Sequence, residues 1–376
     1  MFAIDPQFTY LSITATFMEG ILASLTLVFI SYLCMKVWRH GNRRQNQRSK
    51  LSFRNVPPLN NFDISATIPR QYRPWKTGKY NMTMGIRRMP DEDWLAVHRV
   101  IDNLYKTEQQ IRNHLLETNH DGVLQCLPDA NEACKEALDY IVNFLIRRYP
   151  THFWLLEDRA GYVHNSITSK TFRFIEPYDQ HPLAIAAQLT MEDINLLMQD
   201  TGENSNDYSL QASFSMAPAG WYIQERIGWP LWKIHGPVPL WSLKLRKSME
   251  KFFLSLKVSN PVQRNNYFVQ IDDTMFQQEP FADSSELPPK IEDIRIRHER
   301  QTLRRLPRTG AIMFLVRTYL MPITELENEL DNLYSLRSAI NAWPAEMAKY
   351  KGRHVWHETF ERWCDEVLGN YVPSSG

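Results

Sequence analysis

A single histidine lies in the most aromatic stretch of the chain. Residues 218–241 read PAGWYIQERIGWPLWKIHGPVPLW and place Trp221, Trp229, Trp232 and Trp241 around His235. The prolines at positions 237 and 239 stiffen the backbone, because each fixes its own φ angle and restricts the preceding residue. A rigidly held imidazole in an apolar pocket suits an axial ligand of haem iron, which must be a neutral nitrogen fixed in direction. A core histidine paired with a backbone carbonyl group explains the same residues.

A charged stretch, residues 297–307, forms the second candidate and reads RHERQTLRRLP. In an extended strand Arg297 and Glu299 share one face, and Arg300 lies on the other. Guanidinium groups bind carboxylates through paired hydrogen bonds, so one face could hold a carboxylate-bearing ligand such as the propionates of haem. An internal network of ion pairs on a half-exposed strand explains the same pattern equally well.

Composition and missing motifs exclude several classes of function. The 43 Lys and Arg residues balance 42 Asp and Glu residues. A net charge of +1 provides no positive electrostatic potential that would attract a nucleic acid. The chain contains no glycine-rich loop for a dinucleotide or nucleoside triphosphate, no G-x-S-x-G elbow and no H-E-x-x-H motif. Its four cysteines, at positions 34, 126, 134 and 364, lack metal-type spacing, so we expect free thiols in a reducing compartment.

The N-terminal segment predicts a membrane anchor. Residues 21–38 read ILASLTLVFISYLCMKVW, and with residues 16–20 they reach the roughly twenty residues that a membrane-spanning helix needs. Residues 1–19 contain no Lys or Arg, whereas five basic residues follow between positions 39 and 50. Basic flanks stay cytosolic, so we expect residues 1–15 to be lumenal or outside and the remainder to face the cytosol, at the endoplasmic reticulum membrane. A buried core helix is the alternative.

The remaining residues predict a linker and one α+β domain. Residues 39–79 are basic, polar and Pro-rich, which is typical of a linker, and the domain is expected over residues 80–376. Central strands and terminal helices favour an antiparallel sheet flanked by helices. Helices are predicted at 91–116, 131–148, 182–198 and within 324–368, and strands at 152–156, 171–175, 208–216, 262–271, 291–306 and 311–320.

Several of these segments together resemble one family. The sequence is similar, over residues 80–350, to the haem-dependent oxidative N-demethylase alpha-subunit-like family, whose fungal members are also named the HRQ family. The matching segments are MTMG at 82–85, DW at 93–94, IHGPVP at 234–239, RNNY at 264–267 and ERQTLRRLP at 299–307. This chain departs from the bacterial pattern in its membrane anchor and in Tyr267, where we expect Trp.

The resemblance implies a fold, a cofactor and a reaction. It implies haem b in a PAS-like antiparallel sheet flanked by helices, and oxygen-dependent conversion of an N-methyl amine to the amine and formaldehyde, or related tailoring of a small molecule in fungal secondary metabolism. It makes His235 the metal ligand, Glu225 a distal acid or base and Glu299 the second catalytic candidate. The residues implied to bind the cofactor are His235, Trp232, Arg264, Arg297 and Arg300.

An enzyme of this kind needs a source of electrons. Because the chain lacks flavin and nicotinamide motifs, we expect a separate flavin- or nicotinamide-dependent reductase as partner. Two alternatives remain. The protein is a membrane-anchored, PAS-like haem or ligand binder without turnover, or it is a scaffold that has lost its cofactor.

Overall fold

Ten strands provide the framework of the fold. The computed structural model describes residues 53–66, 72–97, 104–202, 206–279 and 288–373, and the chain divides into two compact units, Met1–Asn55 and Val56–Gly376. Within the described residues the strands are β1 (Arg87–Arg88), β2 (Leu124–Cys126), β3 (Phe153–Leu155), β4 (Tyr162–Asn165), β5 (Lys170–Arg173), β6 (Asp193–Gln199), β7 (Tyr208–Phe214), β8 (Val262–Gln270), β9 (Arg295–Arg305) and β10 (Ile312–Pro322).

The strands form two antiparallel sheets. The larger has the order β1-β8-β9-β10-β6-β7-β2, and the smaller has the order β3-β4-β5. In the larger sheet, β9 and β10 form the central hairpin, paired from Arg295↔Pro322 to Arg305↔Ile312. Strand β7 is followed in the chain by β8, yet β6, β10 and β9 lie between them in the sheet. At the usual spacing between strands, the connection from residue 215 to 261 therefore spans roughly 19 Å.

Helices flank the larger sheet. In chain order they are α1 (Leu104–Thr118), α2 (His120–Val123), α3 (Asn131–Arg148), α4 (Pro182–Leu189), α5 (Ile223–Arg226), α6 (Leu231–Ile234), α7 (Trp241–Lys244), α8 (Arg246–Ser255), α9 (Leu330–Asn341), α10 (Ala345–Tyr350) and α11 (Arg353–Leu368). Short 3-10 helices occur at Asp91–Asp93, Pro128–Ala130, Ile291–Asp293 and Ile323–Asn328. The predicted α+β class with an antiparallel sheet and flanking helices is confirmed, whereas its PAS-like topology stays a prediction.

Two predicted helices differ from the structure. The helix predicted over residues 182–198 ends at Leu189, because Thr190 is extended and residues 193–199 form β6 between β10 and β7. The apolar run ahead of Gly202 is compatible with a helix or a strand. Its pairing with β10 and β7 makes it a strand. The helix predicted from residue 91 begins as the single 3-10 turn Asp91–Asp93, and α1 begins at Leu104 beyond the undescribed residues 98–103.

Part of the predicted linker packs on the domain. Trp75 is 5% exposed within a hydrophobic cluster that includes α9 and α11, and its indole N–H donates to the carbonyl oxygen of Asn332 at 2.9 Å. Arg73 pairs with both carboxylate oxygens of Glu329, at 2.8 and 2.6 Å. These contacts make residues 72–79 part of the fold.

The membrane anchor stays a prediction. Residues 16–38 lie outside the described part of the chain. Across the part that is described, no helix combines the length and apolar character that crossing a membrane requires.

Candidate functional site

The hydrogen bond of His235 defines its tautomer. His235 ends α6, and its Nδ1 atom lies 2.8 Å from the backbone oxygen of Leu231. A carbonyl oxygen only accepts, so Nδ1 carries the proton and donates it. The lone pair of neutral His235 is therefore on Nε2, the arrangement that a histidine needs to bind a metal through Nε2.

The surroundings of His235 keep its imidazole neutral and oriented. Its ring stacks on that of Trp241, with centroids 4.9 Å apart and an interplanar angle of 8°. Burial lowers the pKa of His235 more than the hydrogen bond to Leu231 raises it. Leu240 precedes the stacked tryptophan with a φ of 64°, a left-handed conformation that turns the chain back onto the histidine. The imidazole is thus held in a fixed direction.

A polar face of the large sheet presents Glu299. Arg264 pairs with Gln301 and Asn266 with Glu299 across β8 and β9, so these side chains share one face, here called the site face. Glu299 is 8% exposed. Its Oε2 atom accepts hydrogen bonds from the amides of Asn266 at 3.3 Å and Gln301 at 2.9 Å. Two amide donors thus fix this carboxylate on the sheet.

Electrostatic effects connect His235 with the site face. The positive charges of Arg264 and Arg226 lower the pKa of His235, in addition to the larger effect of burial. Burial lowers the pKa of Lys351 to about 8, a change that Glu299 opposes and Arg264 reinforces. Because the effect of a charge weakens with distance, these effects group together His235, Arg226, Arg264, Glu299 and Lys351. We call them the His235–Glu299 cluster.

Lys351 is the member of this cluster that the sequence did not predict. It follows α10, its ammonium group donates to the backbone oxygen of Tyr267 at 2.7 Å, and the group lies 4.6 Å from the ring centroid of Phe268. No motif surrounds Lys351 in the sequence, and it comes to β8 only through the packing of the C-terminal helices. Nothing short of the tertiary structure identifies it.

Arg297 anchors the segment that carries His235. Its side chain is fully buried and donates to the backbone oxygens of Ala217 and Pro218, where residues 218–241 begin, and to that of Met275. Its Nε atom lies 3.9 Å from Oε1 of Glu299. The structure therefore places Arg297 beside the cluster, with its guanidinium group occupied by backbone carbonyl groups.

Arg300 lies on the opposite face of the sheet from Glu299. Its guanidinium group donates to the backbone oxygens of Trp94, at 2.9 Å, and Asp93, and to the side chain of Gln263 at 3.1 Å. The structure does not bring Arg300 together with His235. Its hydrogen bonds instead hold the 3-10 turn Asp91–Asp93 against β9.

Trp232 and Glu225 lie at the surface. Trp232 is 42% exposed, lies under the guanidinium group of Arg246 at 5.6 Å and lines a surface depression together with Trp241. Glu225 is exposed on α5, and its negative charge raises the pKa of Arg226 against the lowering by burial. Of the two catalytic candidates, the structure brings Glu299 into the cluster and leaves Glu225 at its solvent side.

A comparison with protein families now adds to this geometry. The family model described as haem-dependent oxidative N-demethylase, alpha subunit-like, matches residues 85–360, which is more than half of the chain. The chain belongs to this family. Membership of the haem-dependent oxidative N-demethylase alpha-subunit-like family indicates haem dependence and an oxidoreductase activity, and it confirms the resemblance drawn from the motifs.

The residues of the cluster fit a haem group. A neutral imidazole with its lone pair on Nε2 could bind the iron of a haem group. The nearby cations Arg264 and Arg226 suit the two propionate carboxylates. The chemistry of this donor set therefore agrees with the haem dependence of the family.

Proposed function

We propose that this protein binds haem b through Nε2 of His235 and oxidises an N-methyl amine to the amine and formaldehyde. The observation that carries this proposal is the hydrogen bond from Nδ1 of His235 to Leu231, at 2.8 Å, because it leaves Nε2 as the ligand atom. Family membership supports the reaction class, and the site face supplies the polar groups that an amine substrate needs.

Bound haem would supply the electron-transfer and oxygen chemistry, and the protein supplies binding, orientation and proton transfer. Arg264 and Arg226 would neutralise the propionates. The stack on Trp241 and the bond to Leu231 hold the imidazole plane in one direction, which sets the direction of its lone pair. These groups are in place in the folded chain before any ligand arrives.

Glu299 is proposed as the carboxylate that receives the substrate. An alkylamine is mostly protonated at neutral pH, and its nitrogen must be neutral to be oxidised, so a base must remove one proton. Oε2 of Glu299 is occupied by the amides of Asn266 and Gln301, whereas among the described residues the cation nearest to Oε1 is the Nε atom of Arg297, at 3.9 Å. Oε1 is therefore the atom assigned to hold the ammonium group and accept its proton.

The electron donor is proposed to be a separate reductase that uses flavin or nicotinamide. The chain carries no sequence motif for either cofactor. A membrane helix at residues 16–38 with the domain on the cytosolic side would place the protein beside membrane-bound reductases, at the endoplasmic reticulum. Deletion of residues 1–39 tests the anchor independently of the haem site.

The deciding experiment measures haem content and its rescue. The purified wild-type protein is expected to show a Soret band after haem addition. His235→Ala is expected to lose it and to recover it when free imidazole fills the vacated position. His164→Ala, in the separate β3-β4-β5 sheet, is the matched control and should bind haem like the wild type.

Four outcomes decide between the ligand assignments and the possible functions. Wild-type haem content in His235→Ala would overturn the ligand assignment. Amine-dependent oxygen consumption with a reductant supports the enzyme. A Soret band without turnover across a series of N-methyl amines supports the alternative of a PAS-like haem or ligand binder, and absence of the band supports a scaffold without cofactor.

A further inference from the structure

Two cysteines and a histidine meet at the edge of the large sheet. Cys126 ends β2, Cys134 lies in α3 and His181 precedes α4. The two sulfur atoms are 3.6 Å apart, and both lie within 4.8 Å of a ring nitrogen of His181. Cys134 is fully buried, whereas Cys126 is half-buried. No spacing in the sequence predicts this arrangement, because β2, α3 and the residue ahead of α4 bring the three side chains together only in the folded chain.

The tautomer of His181 argues against a metal site. Its Nδ1 atom accepts a hydrogen bond from the backbone N–H of Leu183 at 3.2 Å, so Nδ1 carries a lone pair. The proton of the neutral ring must then be on Nε2, which is buried and has no hydrogen-bond partner among the described residues. A protonated Nε2 cannot ligate a metal ion. It can stabilise a negatively charged sulfur beside it.

The two thiols differ in their readiness to ionise. The hydrogen bond from the thiol of Cys134 is the largest of the effects that lower the pKa of Cys126 to about 5. His181 lowers this pKa further, whereas burial raises it. The same hydrogen bond and burial raise the pKa of Cys134. Of the two, Cys126 is therefore the thiol that ionises more readily, and Cys134 is the one that keeps its proton. A thiolate is the nucleophilic form of cysteine.

We propose that Cys126 and Cys134 form a redox-active thiol pair that hydrogen peroxide converts to a disulfide. The Cys126 thiolate attacks one oxygen of the peroxide, whose O–O bond breaks, and gives a sulfenic acid and hydroxide. The sulfur of Cys134 then attacks the sulfenic sulfur, its proton leaves with the hydroxyl group as water, and the S–S bond forms. The two sulfur atoms lose two electrons in total, and the peroxide gains them.

The geometry allows the second step with a small movement. A disulfide needs a sulfur–sulfur distance of about 2.05 Å, so the pair must close by about 1.5 Å from 3.6 Å. Cys134 is held inside α3, whereas Cys126 ends a three-residue strand that pairs, among the described strands, with β7 alone at the outside of the sheet. Cys126 is therefore the residue that moves. It is also the more exposed of the two and the one that peroxide can reach.

The first test is titration of the reduced full-length protein with hydrogen peroxide, followed by mass spectrometry of its peptides. We expect a Cys126–Cys134 disulfide while Cys364, which is fully buried in α11, stays a thiol. In Cys134→Ser the oxidation should stop at a Cys126 sulfenic acid that dimedone traps. In Cys126→Ser the Cys134 thiol should persist. The matched control Cys364→Ser should form the same disulfide as the wild type.

Alkylation provides a second test that needs no oxidant. At pH 6 a larger fraction of Cys126 than of an ordinary cysteine is thiolate. A thiolate of lower pKa is less nucleophilic, which offsets part of this advantage. Iodoacetamide should therefore react with Cys126 about 10-fold faster than with a free cysteine. His181→Gln should reduce that advantage. Alkylation of Cys126 no faster than that of free cysteine would overturn the proposal. So would one tightly held Zn²⁺ per chain that protects both thiols until a chelator removes it.

Discussion

At the scale of single residues, the hydrogen bond between His235 and Leu231 determines what this site can bind. The bond fixes the tautomer, and the stacked ring of Trp241 fixes the plane, so Nε2 is directed without help from a ligand. Histidines that bind metals commonly use their second nitrogen in this way, and loss of that support weakens metal binding by roughly 10- to 100-fold. The proposed ligand His235 and its support Leu231 come from one helical turn.

The two candidate carboxylates lead to opposite predictions. Glu299→Gln keeps the shape of the side chain but removes the proposed base, so amine oxidation should fall by about two to four orders of magnitude while haem content stays unchanged. Glu225→Gln alters an exposed carboxylate and should retain activity within a few-fold. Steady-state oxygen consumption with a saturating reductant measures both variants. The reverse pattern would make Glu225 the base.

The buried imidazole of His298 predicts a specific loss of stability in acid. Burial lowers the pKa of His298 to about 3, and neither ring nitrogen has a hydrogen-bond partner among the described residues. Below about pH 6.5 the His298 imidazole binds a proton in the unfolded chain but not in the folded chain. The free energy of unfolding therefore decreases as the pH falls toward 3.

His298→Phe tests this loss because it keeps the contact with Trp75, at 5.6 Å, and removes the titration. Between pH 7 and pH 4 the wild type should lose about 3 kcal/mol more stability than the variant, measured by guanidinium unfolding. Equal losses in the two proteins would show that His298 is charged in the folded state.

Sequence reasoning at this scale named His235, Glu299 and Arg264 as candidates but did not name Lys351. The aromatic and proline-rich setting of His235 is local, so it can be seen in the sequence. Lys351 and the tautomer of His235 depend on contacts that form only in the folded chain, and so does the pairing of Cys126 with Cys134. No spacing rule connects residues on separate elements.

At the scale of elements, the side chains of β9 alternate between the two faces of the sheet, and each face has a different role. One face carries Glu299 and Gln301 toward the cluster, and the other carries Arg300 and Arg304 toward the 3-10 turn at Asp91–Asp93. The charges that face this turn are held by backbone oxygens and by the carboxylate of Asp91, which explains how so many arginines are buried in one strand.

Arg300→Met and Arg264→Met should therefore have different effects. Arg300→Met leaves the carbonyl groups of Trp94 and Asp93 without their donor and should cost about 2–4 kcal/mol of stability, with haem content per folded molecule unchanged. Arg264→Met removes a cation from the site face and should weaken haem binding at least about 10-fold, the scale of one lost charge-assisted hydrogen bond pair. Denaturant unfolding and haem titration distinguish the two. Loss of haem from a folded Arg300→Met variant would show that Arg300 contributes to haem binding.

The elements themselves were largely predictable. The helix at 131–148 has the predicted bounds, and the strands β7 to β10 lie within or close to the predicted segments. The prediction failed at residues 190–199, where burial on both faces of a strand removes the alternation that would distinguish it from a helix. Short elements such as β4 carry too few residues for a periodic pattern.

At the scale of the whole molecule, the N-terminal border of the folded region can be tested by truncation. Deletion of residues 1–39 should leave the Soret absorbance and stability of the protein unchanged and release it from membranes. Deletion of residues 1–79 also removes Trp75 and Arg73, and should destabilise the fold by at least the roughly 3–5 kcal/mol typical of a buried tryptophan. Trp75→Ala in the full chain is the matched control. Retention of the shorter deletion on membranes would reveal another attachment.

The connection from β7 to β8 has a consequence for how the site forms in time. The segment that carries His235 joins strands on opposite sides of the central hairpin, and the contacts of Arg297 and Lys351 beside it connect residues 80 and 84 positions apart. Long-range contacts of this kind carry a high entropy of loop closure and usually form late in folding. Substitutions such as Trp241→Ala should thus accelerate unfolding and leave the refolding rate near that of the wild type in stopped-flow experiments. The region around His235, proposed as the haem site, would be the last to close and the first to open.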